Sequence, residues 1–313
     1  MLRFPRILLS ILFLSALACG TAAEDLLPII DAHSQIEAAI KPQQVIALMK
    51  RAHVSRTILA ARGKTSIEQI ISMAKQHPSM ITAAVRIKSG AYQTGTLAKF
   101  HDFLDRQTAH PEFAAMAEVL IFHARKTNKR GKTIAPQVAF PPSDPKPQTA
   151  LSVALQKGWP FIAHIEFRKL NAQQRASYMD EMTAILRAHP QHPFLFIHMG
   201  QLGPEEAGQL LAAHSNLFFI PSHTTPITLA DSREPWTPMI ADGKLLLSWQ
   251  KLILRYPDRF VLGFDNVWAR HWKEFYLPQV QLWRRVLGAM PSEVAHKVAH
   301  RNAERLWHLP PAN

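Results

Sequence analysis

The chain has almost no cysteine. Its one thiol, Cys19, lies in the N-terminal segment, which leaves the rest without a disulfide or a cysteine metal ligand. Past that segment it also lacks any apolar run of the roughly 20 residues that a bilayer helix needs. No glycine-rich phosphate loop follows the first apolar stretch, which counts against a dinucleotide-binding open sheet. Acidic residues are in deficit, 23 against 36 basic, for a net charge of +13. Such a balance raises the question of nucleic acid. The basic residues are scattered, however, and the one dense cluster, Arg125 to Lys132 ("RKTNKRGK"), comes with no helix-turn-helix, finger or RNP-like motif. It reads as a solvated loop, and no nucleic-acid partner is expected. Internal repeats, low-complexity tracts and domain linkers are likewise missing.

What is present begins with an address. Arg3 and Arg6 precede an apolar run, Ile7 to Ala18, and then small residues, "ACGTAA". This is the pattern of a secretory signal peptide cut after Ala23. Its removal takes the charge from +13 to +11, because it carries two arginines and no acid. The expected product is exported, to the periplasm or outside the cell. "ALAC" also loosely resembles a lipobox, which would place a lipid on Cys19 instead.

Residues 24–313 alternate between short apolar, β-rich runs and amphipathic stretches. The eight runs are "LLPIIDAH", "RTILAA", "MITAAVRI", "FAAMAEVLIFH", "PFIAHIEF", "PFLFIHMG", "NLFFIPS" and "RFVLGFDN". Continuous apolar runs suit strands buried on both faces. Strand-helix alternation argues for βα units. Eight such units predict an α/β fold, a (β/α)8 TIM barrel in one domain. The proline-rich Ala135 to Pro147 reads as a loop inserted at the mouth, as a lid or a long excursion.

In a barrel, the C-terminal ends of the strands carry the chemistry. There the runs end in Asp31 and His33, Glu118, His164 and Glu166, His198, and Asp265. Strict alternation puts Asp31 with His33, and His164 with Glu166, on common faces. Imidazole nitrogen and carboxylate oxygen suit a zinc-like or manganese-like ion. Each residue has a plainer reading. Asp31 and Asp265 fit turns, and Glu166 could pair with Arg168. Six more histidines, His53, His77, His110, His189, His192 and His214, fall at or near helix ends, where they can meet the helix dipole. Glu118, inside an apolar run, is harder to set aside, since a buried carboxylate needs a partner.

Together "IDAHSQ", "AHIEF", "FIHMG", "VLGFDN" and the C-terminal "NAERLWHL" resemble the amidohydrolase superfamily, in its amidohydrolase-related branch. The resemblance implies a metal at the barrel mouth, with His33, His164 and Asp265 as ligands and Glu118 at the fourth-strand carboxylate position. It implies that His198 is the sixth-strand histidine, which binds a second metal or contacts substrate. One feature departs from the pattern: Gln35 stands where the second histidine of a first-strand His-x-His pair belongs. One metal, a harder ion, or none with the same residues on substrate all stay open.

The expectation is a hydrolase acting on a small ester, lactone or amide through one divalent ion, zinc first and manganese as the alternative. Asp265 would carry the proton and His198 would hold the carbonyl oxygen. Gln35 and Glu166 are expected near the substrate. Arg86 and Arg62 could take a substrate carboxylate, and Trp268 and Trp272 could wall the pocket. A decarboxylase on the same scaffold and a non-catalytic binding protein are the rivals.

Overall fold

The computed structural model describes residues 26–127 and 130–312. The expected leader, residues 1–23, and Cys19 within it lie outside the described residues. Seven of the eight apolar runs form strands. They are β1 (Ile29–Ile36), β2 (Val54–Ala61), β3 (Ile81–Val85), β4 (Phe113–Met116), β5 (Val119–His123), β6 (Phe161–Ile165), β7 (Phe194–Ile197) and β8 (Leu217–Ile220). They build two parallel sheets, β1-β2-β3-β4 and β5-β6-β7-β8.

A single closed eight-stranded ladder was expected, and the structure differs in two places. The run "FAAMAEVLIFH" is two strands. Ala117 N–H still donates to Val85 of β3, at 2.9 Å, but Val119 already pairs with Ala163 of β6, so the chain changes partner across Ala117 and Glu118. The run "RFVLGFDN" is no strand at all. Its backbone does bond to both neighbours: Val261 N–H donates to Phe219 of β8 and Ala32 N–H of β1 donates to Leu262. Beyond that point Asp265 N–H donates to His33 O and Gln35 N–H to Asn266 O, both at 2.8 Å, and side chains add to these backbone bonds. Asp31 Oδ1 accepts from Phe264 N–H at 2.9 Å, and Ser34 Oγ accepts from Asn266 N–H at 3.0 Å. Close approach is possible because residue 263 is glycine: a Cβ there would sit 2.8 Å from Ile220 Cγ2.

Helices connect the strands and follow the expected patterns. Pro42–Ala52 buries Val45, Ile46, Met49 and Ala52 on one stripe, and Ser66 caps Ile67–Gln76 by accepting from Gln69 N–H. His53, His77, His189 and His214 are the residues that end their helices. Burial pushes His214 down, and burial and then His189 push His192 down to about 4. The Ala135 to Pro147 loop is pinned rather than free. Val138–Ala139 adds an antiparallel edge to β5, and Asp144 caps the helix Pro145–Lys157.

One inner cluster holds Ile30 and Ala32, Ile58 and Ala60, Ala115 and Ala117, Leu195 and Ile197, Phe218 and Ile220. On β1, β2, β7 and β8 the members lie two apart, on one face of the strand, as the pleat requires. Leu306 and Trp307, from the C-terminal helix Asn302–Trp307, belong to the same cluster. The small residues on β2, β3 and β4 leave room for those large side chains.

Candidate active site

The polar residues at the strand ends come together because two strands break phase there. β1 shifts register between Asp31 and Ser34. An irregularity of this kind re-aims the residues beyond it. Ile30 and Ala32 face the inner cluster, and His33 Nε2 then reaches within 3.5 Å of both Glu118 Oε1 and Asp265 Oδ1. Asp31 does not share this face, contrary to strict alternation. Its carboxylate accepts from the His33 and Phe264 backbone N–H groups and from the Ser34 hydroxyl. Burial pushes it up to about 7 in spite of these bonds.

Glu118 is the fully buried centre of the site, delivered by the β4-to-β5 switch. Its Oε2 lies 2.6 Å from His164 Nδ1. Its Oε1 forms an ion pair with Lys88 Nζ and accepts from Gln35 Nε2 at 3.1 Å. Burial alone would push this carboxyl up. Lys88 and then His164 more than reverse it and hold Glu118 well below the usual carboxylate range. Gln35 Nε2 also donates to Asp265 Oδ1 at 3.3 Å. The residue in the missing histidine's place thus turns its amide N–H groups, not its oxygen, towards two carboxylates.

His164, on β6, is gripped on both sides. Its Nε2 is 3.0 Å from Glu166 Oε1. Burial would lower the ring, but Glu118 and Glu166 raise it above its ordinary value. Glu166 is fully buried and occupied. It accepts from Ala124 N–H at 3.1 Å and from Lys126 Nζ at 2.5 Å, and His164 with Lys126 draws it down to about 2 against burial. It therefore holds His164 and does not open to a substrate, and it does not pair with Arg168, whose guanidinium donates to Pro235 O. Lys126 also pairs with Glu234 at 3.0 Å. One residue of the supposed solvated basic loop is thus turned into the site.

The opposite wall comes from the ends of β7 and β8 and from the 260–266 segment. His198 Nδ1 sits 2.8 Å from Ser222 Oγ. His198 Nε2 and His223 Nε2 lie 3.5 and 3.7 Å from Asp265 Oδ2. The two imidazoles stack, with centroids 4.5 Å apart, and Trp236 covers His198 at 4.7 Å. Burial and then His223 hold His198 well below the ordinary histidine range, and burial lowers His223. All three residues have left-handed backbone, with φ of 55° at His198, 57° at His223 and 47° at Asp265. Non-glycine residues there cost on the order of 1–3 kcal/mol each and gather at functional sites.

Above this floor, Arg62 stacks on Trp268, its guanidinium carbon 4.1 Å from the ring centroid. Trp268 is 36% exposed at the rim. The guanidinium makes no hydrogen bond among the described residues. Burial lowers Arg62, against the nearby charges of Asp265 and Glu118. Arg86 instead braces two loops, donating from Nε to Lys88 O at 2.7 Å and from Nη1 to Gly63 O at 2.9 Å. Trp272 is core rather than pocket wall: fully buried, it donates from Nε1 to Gln35 O at 2.8 Å. Lys88, His123 and His223 went unread in the sequence. The two histidines close apolar runs, "IFH" and "IPSH", and so carry the same strand-end signal as His33 and His198. Lys88 had no comparable mark.

A divalent ion fits this arrangement. Both ring nitrogens of His33 and both of His223 are buried without a hydrogen-bond partner, an expensive state for an imidazole. His33, Glu118 and Asp265 group their donor atoms closely enough to share an ion, as do Glu118, His164 and His198, and also His198, His223 and Asp265. Nitrogen and carboxylate donors without sulfur suit zinc or manganese.

Residues 30–309 match the profile of a protein family described as amidohydrolase. Curated proteins gave no significant sequence match. Among solved structures, the chain is similar to an uncharacterized TIM-barrel protein from Bordetella bronchiseptica, at 12% identity over 90% of this chain and 99% of that one, with a TM-score of 0.57. It is also similar to 4-oxalomesaconate hydratase from Rhodopseudomonas palustris, at 12% identity over 90% and 96% of the two chains, TM-score 0.56. A dihydroorotase matches at 14% identity over 91% and 70%, TM-score 0.55. At these identities the likeness is one of fold, and it places the two parallel sheets among TIM barrels.

Proposed function

The chain belongs to the amidohydrolase family, and on that premise we propose that it is an exported metal-dependent hydrolase of a small, anionic ester, lactone or amide. The observation that carries the reading is the convergence of Glu118, Asp265, three buried histidines and the half-buried His223 on one end of the strands, with the ring nitrogens of His33 and His223 lacking a hydrogen-bond partner among the described residues. The ion's donors lie within His33, Glu118, His164, His198, His223 and Asp265. When bound, a divalent ion polarises a carbonyl and acidifies water. Zinc suits the donor set best, with manganese second.

The chain's own residues supply the remaining chemistry. Asp265 is the proton carrier: Gln35 Nε2 orients its Oδ1, and the carboxylate takes the proton of the attacking water and passes it to the leaving group. His198 and Trp236 wall the place where the carbonyl sits. Arg62, stacked over Trp268 with no hydrogen bond on its guanidinium among the described residues, takes a carboxylate or similar anionic group of the substrate. Lys126 and Glu166 keep His164 in place. Export is supported by the leader pattern at residues 1–23.

The test is turnover by the metal-loaded mature protein on a panel of lactones, esters and amides that carry a carboxylate. Asp265→Asn should lower kcat at least about 10²–10⁴-fold, the usual contribution of a general base, without changing the unfolding curve of the metal-free protein. A folded, metal-loaded wild type that turns over nothing on the panel would defeat the proposal.

A further inference from the structure

Gln35 and Lys88 raise a question that the family pattern does not answer: where an ion sits when half of its usual cradle is already filled with N–H donors. We propose that this chain holds a single divalent ion on His198 Nε2, His223 Nε2 and Asp265 Oδ2, while the Lys88 ammonium and the Gln35 amide replace a cation on the first-strand side. The proposal rests on the metal-dependent reading above and says which residues serve it.

Three independent observations converge. First, the oxygens that face His33 are taken. Glu118 Oε1 carries the Lys88 ion pair and the Gln35 bond, and Asp265 Oδ1 accepts from the same Gln35 nitrogen. A second cation on these oxygens would meet an ammonium and an amide N–H at close range, and like charges repel strongly where water is excluded. Lys88 is 13% exposed and Glu118 not at all, so the pair is shielded. His164 is no freer, because each of its nitrogens already faces a carboxylate.

Second, the far side offers donors without claims on them. Among the described residues no hydrogen bond reaches Asp265 Oδ2, and the imidazoles within 4 Å of it are His198 and His223. The Ser222 hydroxyl at His198 Nδ1 leaves Nε2 as that ring's open atom, the kind of outer contact that orients a ligating histidine. Neither ring nitrogen of His223 has a hydrogen-bond partner among the described residues. Two nitrogens and one carboxylate oxygen, with an open fourth position, form a catalytic zinc set.

Third, these same three residues all have left-handed backbone; among the described residues eight non-glycine positions do, Met199 and Gln201 beside His198 included. His33, Glu118 and His164, the alternative ligands, are not among the positive-φ residues. Left-handed backbone shared by three residues whose side chains meet at one point is explained if that point is where an ion binds. His223 then replaces the histidine that Gln35 displaced, from the loop after β8 instead of from β1.

The experiment uses the mature protein, stripped by chelator and reloaded with Co2+ or Zn2+. Bound metal is counted by elemental analysis, affinity is taken by chelator competition, and the Co2+ d–d spectrum reports the ligand field. The wild type should hold one equivalent. His223→Ala, with His223→Gln as the volume-conserving check on folding, should weaken binding by more than about 100-fold, beyond the 10–100-fold of outer contacts, and alter the spectrum. His33→Ala should change affinity by less than about 10-fold, the lower bound for such contacts. The double variant Gln35→His with Lys88→Met should accept a second equivalent. Metal lost in His33→Ala but kept in His223→Ala, two equivalents in the wild type, or one in the double variant would overturn this assignment and leave the metal-dependent reading standing. A wild type that takes up no metal would overturn both.

Discussion

The Lys88–Glu118 pair can be tested apart from any reaction, by Lys88→Met in chelator-treated protein. Methionine keeps most of the apolar stem and removes the charge. Glu118 is fully buried, and the Lys88 side chain is 13% exposed. Leaving a buried carboxylate without its cation typically costs about 3–5 kcal/mol. His164 at 2.6 Å and Gln35 at 3.1 Å remain as partners, which places the loss near the lower end, about 3 kcal/mol. For a chain of this size that lowers Tm by roughly 6 °C, at about 2 °C per kcal/mol. Urea unfolding of the four proteins of a double-mutant cycle with Glu118→Gln is the assay. Lys88→Met with Glu118→Gln should recover most of the loss, because neither charge is then buried alone. A loss below about 1 kcal/mol, the value of a solvated surface pair, would refute the reasoning. Lys88 would then be free to swing away, and the first-strand half of the site would be open to an ion.

Three further outcomes follow from the packing. Gly263→Ala should cost about 1–3 kcal/mol of stability, the range for overpacking, because its Cβ would press on Ile220 Cγ2 at 2.8 Å; an unchanged denaturation midpoint would count against the close approach. Trp272→Phe should lose about 1 kcal/mol with the indole bond to Gln35 O, visible by calorimetry as a lower Tm. Burial first, and then His189, lower His192 to about 4 in the folded protein, while the unfolded chain binds its proton near pH 6.5. The stability tied to the neutral ring is therefore complete above pH 6.5 and falls as pH drops towards 4. His192→Gln should lose less stability over that window than the wild type, measured by urea midpoints at successive pH values.

Much of this molecule was legible in its residues before any coordinates. Seven apolar runs are strands because continuous Val, Ile, Leu and Phe suit strands covered on both faces. The amphipathic stretches are helices because their apolar residues recur at the spacing of a helical stripe. His33, Glu118, His164, His198 and Asp265 could be gathered as one set because polar residues that end buried strands have a common mouth to face. Alternation failed where the backbone leaves the regular pleat. The register shift after Asp31 separated Asp31 from His33, the partner exchange at Ala117 and Glu118 divided one run into two strands, and at 260–266 the side-chain bonds of Asp31 and Ser34 join a sparse set of backbone bonds in an irregular segment. None of these is visible in a local pattern, because each depends on which strand lies alongside. The same holds for Lys88 on Glu118, Lys126 on Glu166 and the direction of the Gln35 amide. Residue type and spacing say that a charge or an amide is present near a strand end. Which oxygen it meets is decided by contacts between segments as far apart as residues 35, 118 and 265, and only the folded chain brings those together.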